Sequence, residues 1–136
     1  MRAGRLSLEQ IELLANKRSD FGFETTLSGV TYLALLRRLK AQGYRIQLFF
    51  LWIPTVEMAL ARIADRVRRG GHDIPEKVVR RRFYKGLQHL FIRYRPLLDS
   101  WMLFDNSGTV PRLIACEELG EIRVFDQALF ARIRKG

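Results

Sequence analysis

Residues 21–29 read Phe-Gly-Phe-Glu-Thr-Thr-Leu-Ser-Gly, and this stretch predicts how the rest of the chain is arranged. Alternation of phenylalanine and glycine at its start is typical of a short strand, and Ser28 suits the N-cap of a following helix. In open α/β sheets, ligands bind outside the carboxyl ends of the strands. Glu24, Thr25 and Thr26 are therefore candidate ligand-binding residues, although the same side chains could simply end a strand and shape its turn.

The elements on the carboxyl side of this stretch predict a single α/β domain. A helix at about residues 30–42, closed by Gly43, and an apolar run at residues 46–53 complete a strand–helix–strand unit. The nearly continuous apolar run predicts a strand of a parallel sheet that helices cover on both faces. The remaining pattern predicts helices at 5–17, 56–69, 75–95 and 127–134, a strand at 101–104, and a hairpin of strands 113–116 and 122–125. This alternation favours one layered α/β domain over residues 1–136.

Composition narrows the class of protein. The chain has 136 residues, of which 48% are hydrophobic and 28% charged, as in globular proteins that bury a core. No apolar run approaches the roughly 18 residues that a membrane span needs, so no membrane association is expected. The single cysteine, Cys116, cannot form a disulfide within the chain. Such cysteine usage is typical of the cytoplasm, where we expect the protein.

A basic segment forms the second candidate site. Residues 66–95 hold ten lysines and arginines against two carboxylates, a local charge of +8 within a total of +10. Two predicted helices meet there at Gly70-Gly71, where glycine allows a sharp turn or a close approach to a ligand. The segment suits an anionic ligand, either nucleotide phosphates or a nucleic acid. The alternative is that these arginines form an ordinary solvated helix surface.

Five motifs in order resemble a known family. They are Phe-Glu-Thr-Thr-Leu-Ser-Gly at 23–29, Phe-Leu-Trp at 50–52, Arg-Arg-Gly-Gly-His-Asp-Ile-Pro at 68–75, Arg-Arg-Arg-Phe at 80–83 and Phe-Asp-Asn-Ser at 104–107. Together they look like the zeta-toxin-like family of bacterial P-loop kinases, including its "predicted ATPase" branch, over about residues 3–133. The resemblance implies a three-layer, mostly parallel sheet flanked by helices. It also implies ATP- and Mg²⁺-dependent phosphorylation of a small molecule.

The resemblance also implies a lid at about residues 66–86. The family's two phosphate-clamping arginines correspond to Arg69 and Arg82, which would serve as catalytic and nucleotide-binding residues. Arg68 and Arg81, each one position away, are the alternatives. A phosphoryl transfer relies on such positive charge, because positioning and electrostatic stabilisation account for most of its catalysis.

The resemblance also implies which residues bind the substrate. Glu24 and Thr26 correspond to the pair that, in the zeta toxins themselves, contacts the amino sugar of UDP-N-acetylglucosamine, and Thr25 and Ser28 adjoin them. The toxins have Glu-Gly-Thr where this chain has Glu-Thr-Thr. Asn106 follows a later strand and is expected at the same sheet edge, as a nucleotide-binding candidate or a simple turn former. No Cys/His cluster predicts a metal site in the sequence.

The family's phosphate-binding loop is missing from the sequence. That loop needs Gly-x-x-x-x-Gly-Lys-Ser/Thr, yet no glycine of this chain is followed by lysine. The aspartate that acts as the family's catalytic base is missing too. We therefore expect an N-terminally truncated form or remnant that binds neither ATP nor Mg²⁺ tightly and is inactive alone.

Two rival classes follow from the same residues. The basic segment, interleaved with Phe83, Tyr84 and Tyr94, could bind single-stranded nucleic acid. Open strand edges left by a missing strand could instead make the chain an oligomerising interaction module. For the complete enzyme, the partners would be a nucleotide and a small-molecule acceptor, and the resemblance leaves open an antitoxin.

Overall fold

The elements of the fold are given by a computed structural model that describes residues 10, 13–14, 17–18, 20–22 and 31–135. The elements described in full are helices α1 (Thr31–Ala41), α2 (Val56–Arg68), α3 (Glu76–His89) and α4 (Gln127–Lys135), and strands β1 (Gln47–Trp52), β2 (Ser100–Asp105), β3 (Arg112–Glu118) and β4 (Glu121–Val124). The predicted α/β class is thus confirmed. Most of the helix predicted at 5–17 and of the strand predicted at 21–26 lies outside the described residues.

One four-stranded sheet has the order β1-β2-β3-β4. β1 and β2 are parallel, with Gln47 beside Ser100 and Trp52 beside Asp105, and α2 and α3 connect them. β3 and β4 extend the sheet in antiparallel fashion, as the predicted hairpin requires. Its two turn residues, Leu119 and Gly120, have φ of 53° and 76°, the paired positive values of a type I′ turn. Among the described strands, β1 and β2 are therefore the parallel pair of the predicted sheet.

Local signals set the helix ends near their predicted positions. Thr55 is the N-cap of α2, and its Oγ1 accepts a hydrogen bond from Met58 N at 3.2 Å. Gly43 follows α1 with φ of 93°, and its N–H donates to the Lys40 carbonyl at 3.0 Å. Left-handed backbone of this kind is available to glycine at little cost and ends a helix. Pro75 lies one residue before α3 rather than in its first turn.

Three helices, α1, α3 and α4, pack apolar residues on the same face of the sheet, which we call the covered face. The side chains of Leu48 and Phe50 in β1 contact both parts of the core. One part joins α1 to the end of α3 and the residues after it, through Leu33, Leu35, Leu36, Leu39, Leu90 and Tyr94. The other joins β2 and β3 to α4, through Trp101, Leu103, Ile114, Ala115 and Ile133.

The chain after α3 differs from the single helix that the sequence predicts up to residue 95. A π-helical turn spans Leu90–Tyr94, and a 3₁₀ turn spans Arg95–Leu97. Pro96 has no N–H to donate, so the α-helical bonding pattern cannot continue through it. The wider turn, in which Arg95 N–H donates to the Leu90 carbonyl, keeps Leu90 and Tyr94 at most 1% exposed.

The opposite face of the sheet, which we call the open face, is not covered by any described helix. Phe49 is 57% exposed and Leu51 is 54% exposed. A helix over this side of β1 is not among the described elements, so cover on both faces of the strand stays a prediction. No helix in the described part of the chain is long and apolar enough to cross a membrane.

Candidate functional site

The carboxyl ends of β1 and β2 lie side by side and form one edge of the sheet, which we call the carboxyl edge. Trp52 is in register with Asp105, and Asn106 N–H donates to the Trp52 carbonyl at 2.7 Å. From α2, the Arg62 guanidinium donates to the Asn106 carbonyl. Asn106 therefore lies at the edge where its sequence position predicted it, with the backbone that follows β2 fixed by two elements.

The Asp105 carboxylate is held beside this backbone. It accepts hydrogen bonds from Ser107 N at 3.0 Å and from Arg112 Nη2 at 3.3 Å. Arg112 also reaches Asp126 Oδ2 at 3.2 Å and so links β3 to the residue before α4. Burial alone would raise the pKa of Asp105, but the hydrogen bonds from Ser107 and Arg112 lower it below its ordinary value. Asp105 is therefore an anion that rigidifies the edge.

The turn between α2 and α3 depends on its two glycines. Gly70 has φ of 96°, a left-handed conformation that L side chains rarely adopt. Gly71 donates its N–H to the Arg66 carbonyl at 2.8 Å, and a Cβ added at Gly71 would lie 3.0 Å from that oxygen. Both glycines are thus required by the backbone path that turns the chain after the arginines of α2.

The predicted phosphate-clamping arginines lie on the two arms of this helical hairpin. Arg69 caps α2 and is 79% exposed, and its contact with Asp65 Oδ2 is 3.4 Å. Arg82 is half-buried in α3, and no described carboxylate pairs with it. Arg80 connects the arms, since its guanidinium contacts Glu57 Oε1 at 3.7 Å. That contact places the first turns of α3 beside the start of α2.

The two arginines therefore differ in their distance from the carboxyl edge. Glu57 lies five residues after Trp52, the last residue of β1. Arg82 is two residues beyond Arg80, which contacts Glu57, whereas Arg69 is at the far end of α2. Twelve residues separate Glu57 from Arg69, roughly 18 Å along a helix axis. The described structure brings Arg80 of α3 to the start of α2 and leaves Arg69 at the far end of α2.

Arg62 is a functional candidate that the sequence interpretation missed. Its spacing was a usable signal, because Arg62, Arg66 and Arg69 are four and three residues apart and therefore share one face of α2. The predicted basic segment begins at residue 66 and therefore does not include Arg62, the arginine that contacts the sheet. Arg66 is exposed, and no described carboxylate pairs with it.

The predicted substrate residues cannot be placed. Glu24, Thr25, Thr26 and Ser28 lie outside the described residues. Their role stays a prediction, as does the adjacency of Glu24 to Asn106.

The opposite edge of the sheet contains a recess of about 340 Å³, but its charged groups are already paired. Glu117 accepts hydrogen bonds from Arg95 Nε at 2.8 Å, Arg95 Nη2 at 2.9 Å and Trp101 Nε1 at 2.7 Å. Asp99 accepts from Ile46 N at 2.6 Å and Lys40 Nζ at 3.1 Å. The Arg95 hydrogen bonds lower the pKa of Glu117, and the Ile46 hydrogen bond lowers the pKa of Asp99. These hydrogen-bonded ion pairs hold the fold together.

Comparisons with known proteins agree with the sequence motifs. The family model described as "Zeta toxin" matches residues 2–114. An uncharacterized protein from Haemophilus influenzae (strain ATCC 51907 / DSM 11121 / KW20 / Rd) is 35% identical over 81 residues, which are 60% of this chain and 58% of that protein. The chain thus matches less than two thirds of this relative's length. No solved structure matches the chain significantly.

Proposed function

The chain belongs to the zeta toxin family, and from this premise we propose that it carries the phosphate-binding lid and the acceptor-binding edge of a P-loop kinase. The complete activity would transfer a phosphoryl group from ATP, with Mg²⁺, to a small molecule. In this proposal Arg69 and Arg82 contact the transferring phosphates, and Asn106 borders the nucleotide.

The observation that carries the proposal is the contact of Arg62 with the carboxyl edge, made from a pair of helices rich in arginine. Arg62 ties α2 to the backbone at Asn106, and Arg66 and Arg82 have no described carboxylate partner. Guanidinium groups without a carboxylate partner suit phosphate oxygens, which they bind by charge-assisted hydrogen bonds, and ligands of open α/β sheets bind at the carboxyl ends of the strands. The fully paired Arg95 at the other edge offers no such capacity.

Catalysis by this polypeptide alone is not part of the proposal. No glycine precedes a lysine in the sequence, so the chain has no P-loop to cradle the β- and γ-phosphates. We expect the purified chain to bind inorganic tripolyphosphate measurably and to show no ATP turnover in the presence of Mg²⁺. Turnover that co-purifies with the wild-type chain and disappears in Arg82→Gln would contradict this expectation.

Calorimetric titration with tripolyphosphate tests the binding half of the proposal. Arg82→Gln removes one guanidinium and should weaken binding about tenfold, since a hydrogen bond to a charged group contributes roughly 1.5–3 kcal/mol. Arg132→Gln, an exposed position on α4, removes the same charge elsewhere and is the matched control. Equal losses in the two variants would mean that tripolyphosphate responds only to total charge, and the lid assignment would fail.

A UDP-linked amino sugar is the acceptor that we propose, on the family's Glu24 and Thr26. Ligand-observed NMR with UDP-N-acetylglucosamine can test it, using Thr26→Val against a control, Ser100→Ala, that removes a hydroxyl group at the amino end of β2. Transfer of magnetisation from the protein to the sugar protons should fall in Thr26→Val alone. Equal transfer in both variants would remove the amino-sugar proposal while leaving the phosphate-binding proposal intact.

A second candidate function is binding of single-stranded nucleic acid. Tyr84 on α3 is 63% exposed beside Lys85, which suits base stacking, whereas Tyr94 is 1% exposed and unavailable. Binding of a random-sequence oligonucleotide should then weaken in Tyr84→Ala and fall steeply with salt. Weak binding that is unchanged in Tyr84→Ala would dismiss this candidate.

A further inference from the structure

The open face of the sheet is organised in rows across all four strands. Register places Phe49, Met102, Cys116 and Arg123 side by side in one row. A neighbouring row holds Leu51, Phe104 and Leu113, and the ring centroids of Phe49 and Phe104 are 6.5 Å apart. The middle of this face is therefore apolar from β1 to β3.

Polar side chains border this apolar centre at one end of the strands. The row there runs from Gln47 in β1 through Ser100 to Glu118 and Glu121 in β3 and β4. Both glutamates are exposed, and so is Arg45, two residues before Gln47. Negative charge thus lies at the β4 side and positive charge at the β1 side of the same end.

This charge pattern is complementary to itself. A two-fold axis parallel to the strands, lying between β2 and β3 of two facing sheets, would place β1 of one copy over β4 of the other. Arg45 and Gln47 would then face Glu121 of the second copy. Arg123 would face the exposed ring of Phe49 of the second copy, a cation–π arrangement. The apolar central rows would face one another.

We propose that the open face binds a second copy of this chain, forming a face-to-face dimer with two-fold symmetry. Two aligned sheets pack about 10 Å apart, with side chains of the inner faces interdigitating, and such an interface is isologous because each contact occurs twice. Phe49 and Leu51 are each more than half exposed in the single chain and become buried in the dimer. This proposal is independent of the phosphate-binding proposal, since it uses none of the residues proposed there to contact phosphate.

Charge variants at Gln47 test the geometry without disturbing the core. Gln47 is exposed, so either charge should leave the folding of one chain unchanged. Gln47→Lys should tighten the dimer about tenfold, because each copy's lysine faces Glu121 of the other, and Gln47→Glu should weaken it by a similar factor. Glu121→Lys should reverse this preference, so that Gln47→Glu with Glu121→Lys regains wild-type affinity.

Sedimentation equilibrium over a series of concentrations measures the dimer dissociation constant in each case. Leu51→Asp, which places a charge in the apolar centre, should give a monomer whose circular dichroism and thermal melting match those of a folded chain. Lys77→Glu, an exposed position on α3, is the control for a change in total charge and should leave the constant unchanged.

Three results would overturn the proposal. The first is a wild-type chain that remains monomeric up to its solubility limit. The second is a dimer with the same dissociation constant in Gln47→Lys and Gln47→Glu, as expected if chains associate through backbone pairing at the β1 edge. The third is a preference for charge at Gln47 that Glu121→Lys does not reverse.

Discussion

The two edges of the sheet use the same residue types in opposite ways. At the amino end of β2, Arg95 and Glu117 form a two-bonded pair that Trp101 completes. At the carboxyl edge, Arg62 donates a hydrogen bond to the backbone carbonyl of Asn106. Arg66 and Arg82, on the two helices before β2, have no described carboxylate partner. Arg95 is thus neutralised by a carboxylate, whereas Arg66 and Arg82 are left without a described carboxylate partner.

This difference separates structural arginines from ligand-binding candidates more reliably than sequence position does. The four arginines come from one stretch of sequence, the basic segment at residues 66–95 together with the four residues before it. They are Arg62, Arg66, Arg82 and Arg95. Only the long-range partners, set by β3 and by the loop after β2, divide them. An arginine with a bidentate carboxylate is held in place for the fold, whereas an arginine without one can exchange water for phosphate.

The largest expected effect comes from breaking the neutralised edge. Glu117→Gln should lower the free energy of unfolding by about 2 kcal/mol, because it leaves the Arg95 guanidinium without its anion in a largely buried setting. Urea denaturation measures it. Glu57→Gln, which loses only an exposed contact of 3.7 Å, should stay within about 0.5 kcal/mol. Similar losses in both variants would mean that the two edges do not differ in kind.

The dependence of the unfolding free energy on pH tests the structural role of the paired carboxylates. The pKa values of Glu117 and Asp99 are lowered in the folded chain, so these carboxylates stabilise the fold above their unfolded pKa values of about 4. That stabilisation is lost as the pH falls through the lowered folded pKa values. The unfolding free energy, followed by denaturation from pH 6 downward, should therefore decrease below about pH 4.5. The decrease should be shallower in Glu117→Gln, and identical slopes would contradict the assignment.

A smaller change in stability is expected at the carboxyl edge. Arg62→Gln should cost about 1 kcal/mol, the ordinary contribution of one hydrogen bond, yet it should weaken tripolyphosphate binding several-fold by releasing α2 from Asn106. Arg95→Gln should lower stability by more than Arg62→Gln does and should leave the affinity for tripolyphosphate unchanged. Paired denaturation and calorimetry compare the two variants. An affinity loss in Arg95→Gln as large as that in Arg62→Gln would contradict the division between edges.

Local signals made most of the described fold predictable. Thr55 and Gly43 set helix ends because capping depends on the residue and its immediate neighbours. Leu119 and Gly120 lie where the hairpin was predicted because two apolar runs flank a short turn that contains glycine. The parallel pairing of β1 with β2 follows from the apolar runs and the helices between them.

Interactions between distant residues were not predictable in the same way. Arg95 and Glu117 are 22 residues apart, and Arg62 and Asn106 are 44 apart, so no spacing rule connects them. The π-helical turn at Leu90–Tyr94 depends on packing against α1 as well as on Pro96. Cover on both sides of β1 stays a prediction from its apolar run, since no described helix lies over Phe49. The roles of Glu24 and Thr26 remain predictions from the family resemblance.

The most direct test of the account is to locate the bound phosphate on the molecule. Amide chemical shifts of the ¹⁵N-labelled chain can be followed by two-dimensional NMR during titration with tripolyphosphate. The account predicts perturbations in residues 62–82 and at Asn106 and Ser107, with Arg95, Asp99 and Glu117 unchanged. Perturbations centred on the recess around Arg95 and Glu117 instead would contradict the assignment of the ligand-binding edge.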